Sequence, residues 1–556
     1  PLSLALAIGS GCKPEQGLFT AIVAGFLISV LGGSRVQIGG PAGAFMTIVA
    51  GIMAKHGQEG LALCTLMAGV VLILMGLVRL GSLIKFIPHP VIAGFTSGIA
   101  VIIFSSQVKD FLGLNVEVPG EFVEKWMAIL PALPTINPMA AAFAIISLVV
   151  MVVLRKWMPR VPSAIIVVVL GAILTAVLGL DYQHTVGGLE TIGTKFHQIP
   201  RCLPMPALPF SMTSWDSWVA TFEKAHVLLP SALTLAVLCA MESLLCAEVA
   251  DGMIGGRHKS NCELVAQGAA NIAAILFGGM PATGTIARTV ANVKHGAKTP
   301  LAGMTHAVVL LLIMMLCAPY AVHVPLAVLA AILVLVAWNM SEIDHFRHLL
   351  TAPKSDIAVL FASFGLTVFT DLTIAVGAGL VLASLLFIKR ISSMTNIGTL
   401  RDDDASNDEF SEQNDPNAIT YRDVPSGVDV YEISGPLFFG AADLLKDVLR
   451  ELPTDTQVFV LRLRRVSVVD ASGLHALEEF YHKCAAQGIA LVLAGVHAQP
   501  IFAMTRYGLF DKIGEANILA NIDDALNRAR TILNLPLVAR PRGAMPEVAR
   551  ERKKSA

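Results

Sequence analysis

Fourteen apolar runs fall in the first 390 residues, near 1–11, 17–33, 41–54, 60–78, 87–107, 139–157, 162–180, 227–248, 262–278, 285–293, 302–318, 325–338, 356–370 and 373–388. A hydrocarbon layer is crossed by about 20 helical residues, and backbone polar groups inside it must pair within the protein. Runs of this kind therefore dictate a helical membrane domain. Several are too short to cross alone. Charged residues make up 15% of the chain, against about 25% in soluble proteins, and they crowd into the sequence after residue 390. The chain thus divides into a polytopic membrane part and a soluble tail.

Loop charge sets the orientation. Taken alternately, one set of loops holds Arg35, Arg79, Lys85, Arg155, Lys156, Arg160, Arg257, Lys259, Lys294, Lys298, Arg347, Lys354, Lys389 and Arg390. The other holds Lys13, Lys55, Lys109, Lys125, Lys195, Arg201 and Lys224. The first set is twice as rich despite its shorter loops, which assigns it, and the tail after Arg390, to the cytoplasm. The chain opens inside an apolar helix without an initiator Met, so the start of the first span is expected to be missing.

Two runs are interrupted in the same way. Gly278-Gly279-Met280-Pro281-Ala282-Thr283-Gly284-Thr285 precedes a short helical run that carries Arg288 in its first turn. Gly39-Gly40-Pro41-Ala42-Gly43-Ala44-Phe45 echoes it, and each follows an apolar helix ending in Gly-Gly. Proline and glycine stop regular helix until just before each run resumes. The two are the third and tenth segments, so the second copy is inverted in the membrane. Broken helices at matching positions of an inverted repeat mark a transporter's midplane site. A helix N-terminus offers unpaired N–H groups and roughly half a positive charge. Two such ends facing one another, near Ala42, Gly43 and Ala44 and near Thr285, Ile286 and Ala287, suit a small anion.

Residues 391–420 read as an acidic, polar linker. Beyond it, 421–535 alternates strand patterns (428–433, 458–463, 489–494) with helical ones (440–452, 472–487, 499–508, 522–533) and reads as a small α/β domain. Residues 536–556 form a basic tail expected to be disordered. The eight cysteines show neither paired nor metal spacing and read as small core fillers. No nucleophile arrangement, metal cluster or phosphate loop is present. No enzyme activity, cofactor, metal site or nucleic-acid partner is expected.

The ordered set of motifs resembles the sulfate permease family of anion transporters. It comprises Pro1 to Gly11, Gly33-Ser34-Arg35 with Gly40-Pro41, and Ala250-Asp251-Gly252 with Asn261, Glu263-Leu264 and Gln267-Gly268. Pro281 to Gly284 with Ile286-Ala287-Arg288 completes it. The tail, with Val468-Val469-Asp470-Ala471-Ser472-Gly473-Leu474, resembles a STAS domain. The resemblance implies about fourteen segments in a seven-plus-seven inverted repeat with half-helices three and ten. It implies a core of segments 1–4 and 8–11 that moves against a gate of segments 5–7 and 12–14 within residues 1–390, as a homodimer in a bacterial inner membrane. Substrate is expected between the two half-helix ends.

Leu2 and Leu6 align with the family's pocket-lining face, and Thr285 offers a hydroxyl donor. Arg288 either adds positive field for the anion or neutralises a nearby acid; a buried Arg without a partner is costly, so one role must hold. Glu242 stands in the eighth segment among apolar residues. It is either a group that takes up and releases a proton, as coupled transport requires, or a static partner of Arg288. Cys246, one turn on, presents sulfur where sodium wants oxygen, which favours proton over sodium. Ser472 matches the serine phosphorylated in anti-sigma-factor antagonists, a STAS regulatory site, and also stands where a helix N-cap would.

The resemblance to bacterial members of that family implies proton-coupled uptake of C4-dicarboxylates (fumarate, succinate or aspartate) by alternating access, with sulfate or bicarbonate as alternative substrates. An anion-sensing membrane regulator with STAS output is the reading from another class, and an anion channel a third. The bilayer and a cytoplasmic protein bound by the STAS domain are the other expected partners.

Overall fold

The computed structural model describes residues 1–82, 88–158, 161–180, 188–207, 215–370, 372–392, 395–399, 419, 422–438, 445, 448 and 455–539. The chain separates into two compact units, Pro1–Ala383 and Ser384–Ala556.

The first unit is helical: α1 (Leu2–Gly9), α2 (Pro14–Leu31), α3 (Met46–Leu77), α4 (His89–Leu112), α5 (Phe122–Ala132), α6 (Pro138–Trp157), α7 (Ser163–Leu178), α8 (Ile192–Phe196), α9 (Trp215–Ile254), α10 (Ser260–Leu276), α11 (Ile286–Lys294), α12 (Leu301–Cys317), α13 (Leu326–Met340), α14 (Ile343–Leu349), α15 (Lys354–Phe369) and α16 (Leu372–Ser392). Each of the fourteen apolar runs falls on one of these helices. The third and fourth runs share α3, which is broken at Gly57. That residue has φ 66°, a left-handed conformation glycine takes without steric cost. Seven helical spans among the described residues are long and apolar enough to cross a membrane; α1, α7 and α11 are shorter.

The helices pack in two groups. In one, α10 lies against α3 and α2, α9 against α3, and α12 and α1 against α2. In the other, α4 packs on α15, α13 and α6, and α6 on α7. Small residues set the closest crossings. A Cβ on Gly268 of α10 would stand 2.5 Å from the Gly69 carbonyl of α3, and one on Gly94 of α4 would stand 2.5 Å from the Leu360 carbonyl of α15. The groups meet where α1 touches α13 and the start of the third segment touches α4. Apolar side chains are exposed along the outer faces of α6 (Ile145, Ile146, Val149), α7 (Val169, Ile173, Val177) and α12 (Val308, Leu312, Leu316). In a membrane protein such faces contact lipid.

The second unit holds a five-stranded sheet in the order β3 (Asn396–Thr399), β4 (Val428–Ser434), β5 (Val458–Arg465), β6 (Ala490–Ala494), β7 (Ile518–Leu519). β4 to β7 run parallel, and β3 pairs antiparallel to β4. Phe459, Leu461 and Leu463 of β5 point to one face, against Leu477 and Phe480 of α17 (Ala471–Ala486). Val458 and Val460 point to the other, against Ala525 and Leu526 of α20 (Ile522–Ile532). Burial on both faces is why β5 opens on a continuous apolar run and β6 consists of one. α18 (Ala498–Tyr507) and the short α19 (Leu509–Ile513) complete the unit.

Two expectations are corrected. Residues 396–399, placed in the linker, form edge strand β3; a four-residue strand shows no alternation, and its partner β4 defines it. At the other end, Val538 is held on α20 through Asn527, whose side chain accepts from the Val538 N–H and donates to its carbonyl. Most of the linker (400–418), most of the helix expected over 440–452 and the tail from 540 lie outside the described residues.

Candidate functional site

The interrupted segments meet as a pair of two-residue strands. β1 (Gly39–Gly40) runs antiparallel to β2 (Thr283–Gly284), with Gly39 opposite Gly284 and Gly40 opposite Thr283. Each strand is followed by a helix start, a 3-10 turn at Gly43–Phe45 leading into α3, and α11.

The first backbone bonds run from Phe45 N–H to Ala42 C=O and from Thr289 N–H to Thr285 C=O. That leaves the N–H groups of Ala42, Gly43 and Ala44, and of Ile286, Ala287 and Arg288, with no hydrogen-bond acceptor among the described residues. Thr285 differs from expectation. Its N–H donates to Ile38 C=O at 2.9 Å, and its hydroxyl donates to the same oxygen at 2.8 Å. The hydroxyl proton is therefore committed to tying the repeats together and is not free as a donor.

Arg288 reaches from α11 across to the other repeat. Its Nη2 donates to Ser3 Oγ of α1 at 3.3 Å, and its Nη1 is buried with no hydrogen-bond partner. Among the described residues it pairs with no carboxylate, so the bracing role against an acid is not what this geometry supports. Leu6 is buried, Leu2 is half-buried, and Ser3 between them is the α1 residue that touches Arg288. Sequence reasoning passed over Ser3, whose hydroxyl was the available signal.

Glu242 is half-buried on α9 and has neither hydrogen bond nor ion pair among the described residues. It is not the static partner of Arg288. The carboxylate that does brace the site is Glu263 of α10, fully buried. One oxygen accepts from Gly33 N–H at 2.8 Å and Ser34 N–H at 3.4 Å; the other accepts from Ser243 Oγ at 2.7 Å and Gln267 Nε2 at 2.8 Å. One turn further along α10 from Gln267, Asn271 accepts from Ala282 N–H and donates to Ala282 C=O. Thr20 of α2 accepts from Met280 N–H and donates to Met280 C=O. Thr289 Oγ1 accepts from Ile38 N–H at 2.9 Å and from Cys246 Sγ at 3.2 Å. These polar groups satisfy the backbone of two irregular loops in an apolar setting, where an unpaired group would be costly.

From the second helix group, Met340 Sδ of α13 stands 2.9 Å from the point a Cβ on Gly43 would occupy, with Ile103 Cδ1 of α4 at 3.4 Å. These apolar residues cover the end of the third segment. A cavity of about 520 Å³ lined by Lys109, Asn137, Glu190 and Ala327 shares no residue with this site. In the second unit, Ser472 is exposed at the second position of α17. The N-cap is Asp470, whose Oδ1 accepts from Gly473 N–H at 2.7 Å. The capping expectation for Ser472 is corrected: a carboxylate two residues earlier reaches the free N–H first.

Known proteins align with this architecture. The sulfate permease family profile matches residues 1–363 and the STAS domain profile residues 422–525. A putative sulfate transporter of Bacillus subtilis, YvdB, is 42% identical over 94% of each chain. The bicarbonate transporter BicA of Synechocystis is 28% identical over 92% of this chain and 88% of its own. Among solved structures, murine solute carrier 26 family member A9 in its inward-facing state superposes with TM-score 0.80 at 20% identity, over 96% of this chain and 89% of that one. The transmembrane domain of a cyanobacterial BicA gives TM-score 0.57 at 28% identity, over 69% and 93%.

Proposed function

The chain belongs to the sulfate permease family, and on that premise we propose that it is a secondary active transporter of a small oxyanion, sulfate or bicarbonate, driven by protons. The observation that carries this reading is the pair of facing helix N-termini, with the unpartnered Nη1 of Arg288 beside them. Fixed N–H dipoles and one guanidinium favour negative charge. They hold it without encoding carbon number, and the relatives described carry sulfate and bicarbonate in their names. Nothing comparable supports a C4-dicarboxylate, which stays in the assay as a competitor.

In this reading the group of α1, α2, α3 and α9 to α12 is the core. The group of α4, α6, α7, α13 and α15, with α16, is the gate, and rocking between them gives alternating access. Ala42, Gly43, Ala44, Ile286, Ala287 and Arg288 bind the anion, with Leu2 and Leu6 lining the approach. Thr285 holds the two ends in register. Glu242, unpaired on α9, carries the coupled proton. The protein works as a homodimer in a bacterial inner membrane, with the STAS unit in the cytoplasm and Ser472 as its regulatory contact.

The test is uptake into proteoliposomes of labelled sulfate, bicarbonate and fumarate, with imposed proton or sodium gradients. Saturable sulfate or bicarbonate uptake accelerated by a proton gradient is expected. Binding without flux would instead identify a sensor, and a linear, non-saturating conductance a channel.

A further inference from the structure

We propose that Ser260, in the connection between α9 and α10, is a reactive serine that takes a small acyl group from a donor with an anionic leaving group, an acyl phosphate. The proposal stands on a hydrogen-bonded chain of Asp251, His258 and Ser260, and it does not depend on the anion site.

The chain of bonds is built by a turn. α9 ends at Ile254, and Gly255 turns the backbone at φ 69°. The N–H groups of Gly255 and Gly256 donate to Asp251 C=O at 2.8 and 3.2 Å. His258 is thereby brought back to the last turn of α9. Asp251 Oδ2 accepts from the His258 backbone N–H at 2.7 Å and lies 2.7 Å from His258 Nδ1. A carboxylate only accepts, so the proton of that second bond sits on Nδ1. Nε2 is then left as an acceptor, and Ser260 Oγ lies 2.9 Å from it. The hydroxyl therefore donates to a base whose tautomer an acid holds, which is the arrangement that activates a serine. Spacing along the chain does not announce it, because Asp251 meets His258 only through the turn. The segment is tied down on both sides of the serine. Lys259 N–H donates to Gly33 C=O at 3.2 Å, and Gly81 N–H donates to Asn261 Oδ1 at 3.0 Å.

The surroundings select the donor. The imidazole is 3% exposed and the carboxylate 17%, whereas Ser260 is half-buried and flanked by the exposed Arg257 and Lys259. Two cations beside the serine favour an anionic donor. A Cβ on Gly81 would stand 3.0 Å from Ser260 Cβ, so the Gly81 backbone closes on the serine and leaves room for a small acyl group. Ser260 opens the 17-residue α10, and the N–H of Asn261 has no hydrogen-bond acceptor among the described residues. The residue after a nucleophile supplies such an N–H to the oxyanion of the tetrahedral intermediate.

In the step, Ser260 Oγ attacks the carbonyl carbon of the acyl phosphate while its proton passes to His258 Nε2. The new C–O bond forms, the bond from that carbon to the phosphate oxygen breaks, and phosphate leaves with the bonding pair. The imidazolium then gives its proton to the phosphate. The products are the Ser260 ester and inorganic phosphate. Asp251 touches no reactant and positions His258.

The experiment uses the purified full-length protein in detergent, with acetyl phosphate and a fluorophosphonate as probes and peptide mass spectrometry to locate the adducts. Both are expected to label Ser260 in the native protein and neither after unfolding in denaturant. His258→Gln and Asp251→Asn should slow labelling of Ser260 about hundredfold. Nitrogen-15 spectra of histidine-labelled protein should show His258 protonated on Nδ1 in the wild type and on Nε2 in Asp251→Asn, whose amide donates to Nδ1. Labelling confined to lysines, labelling of Ser260 that survives unfolding, or an unchanged rate in His258→Gln would each overturn the proposal. So would a wild-type His258 protonated on Nε2, or a rate and tautomer unchanged in Asp251→Asn. The comparison of native with unfolded protein needs the wild type alone and decides the matter even where a variant fails to fold.

Discussion

Arg288 Nη1 lies 2.6 Å from the point that a Cβ on Gly40 would occupy. The guanidinium of one repeat is thus placed by the missing side chain of the other. Gly40 has φ 155°, a region L residues rarely adopt. Gly40→Ala should lower stability by about 1–3 kcal/mol from backbone strain and weaken anion binding about tenfold by displacing Arg288. Arg288→Ala should weaken binding without the strain. In the double variant the binding losses should not add, because both act through one guanidinium. Calorimetric titration of purified protein with sulfate and bicarbonate checks this; additive losses would refute the placement.

Much of this arrangement was legible in the residues. Pro41, Pro281 and the glycines around them state in their own chemistry that helix cannot run through, and the echo between the stretches pointed to a pair. The bracing was not legible. Glu263, Gln267, Asn271 and Thr20 are ordinary polar residues until the fold brings Gly33, Met280 and Ala282 to them. Thr285 was recognisable as a donor, but Ile38 C=O decides where the proton goes. Met340 and Ile103 carry no signal among so many apolar residues. In the second unit, β5 and β6 announced themselves by apolar continuity and β4 by its Val, Tyr and Ile, whereas β3 exists only through its pairing.

Glu263 should govern stability more than turnover. Its two oxygens accept four hydrogen bonds from one loop and two helices. An amide at this position turns an NH2 toward donors on one side. Glu263→Gln should therefore cost about 2–3 kcal/mol, seen as a lower unfolding midpoint of the detergent-purified protein. An unchanged midpoint would show that the carboxylate is not bracing the loop.

The cap of α17 separates Asp470 from Ser472. Removing a side chain that caps a helix costs about 1 kcal/mol, so Asp470→Ala should destabilise the STAS unit by that amount. Ser472→Ala removes an exposed hydroxyl that caps nothing and should leave stability unchanged. Hydrogen exchange along 471–480 in the full-length protein reads both. Faster exchange in the Ser472 variant would restore that residue as the cap.

Lys125 offers a pH-dependent test away from the spanning segments. It lies on α5, in the connection between α4 and α6, and is 6% exposed, its ammonium without ion pair or hydrogen bond among the described residues. Its helix neighbour Ile129 is buried too, whereas Val123, Met127 and Leu130 are exposed, so the helix turns its lysine inward. Burial holds the ammonium below the usual lysine range. The native state then binds this proton less tightly than the unfolded chain does. The resulting cost is present at pH below the folded value and is relieved as pH rises through it toward the unfolded value. Lys125→Met keeps the length and apolar stem of the side chain and removes the charge. It should raise the unfolding midpoint near neutral pH, and the advantage over wild type should shrink as the solution becomes alkaline. Thermal unfolding of both proteins across that pH range measures the difference. A midpoint changed by the same amount at every pH would mean that the Lys125 proton is not linked to folding and that burial does not set its proton affinity.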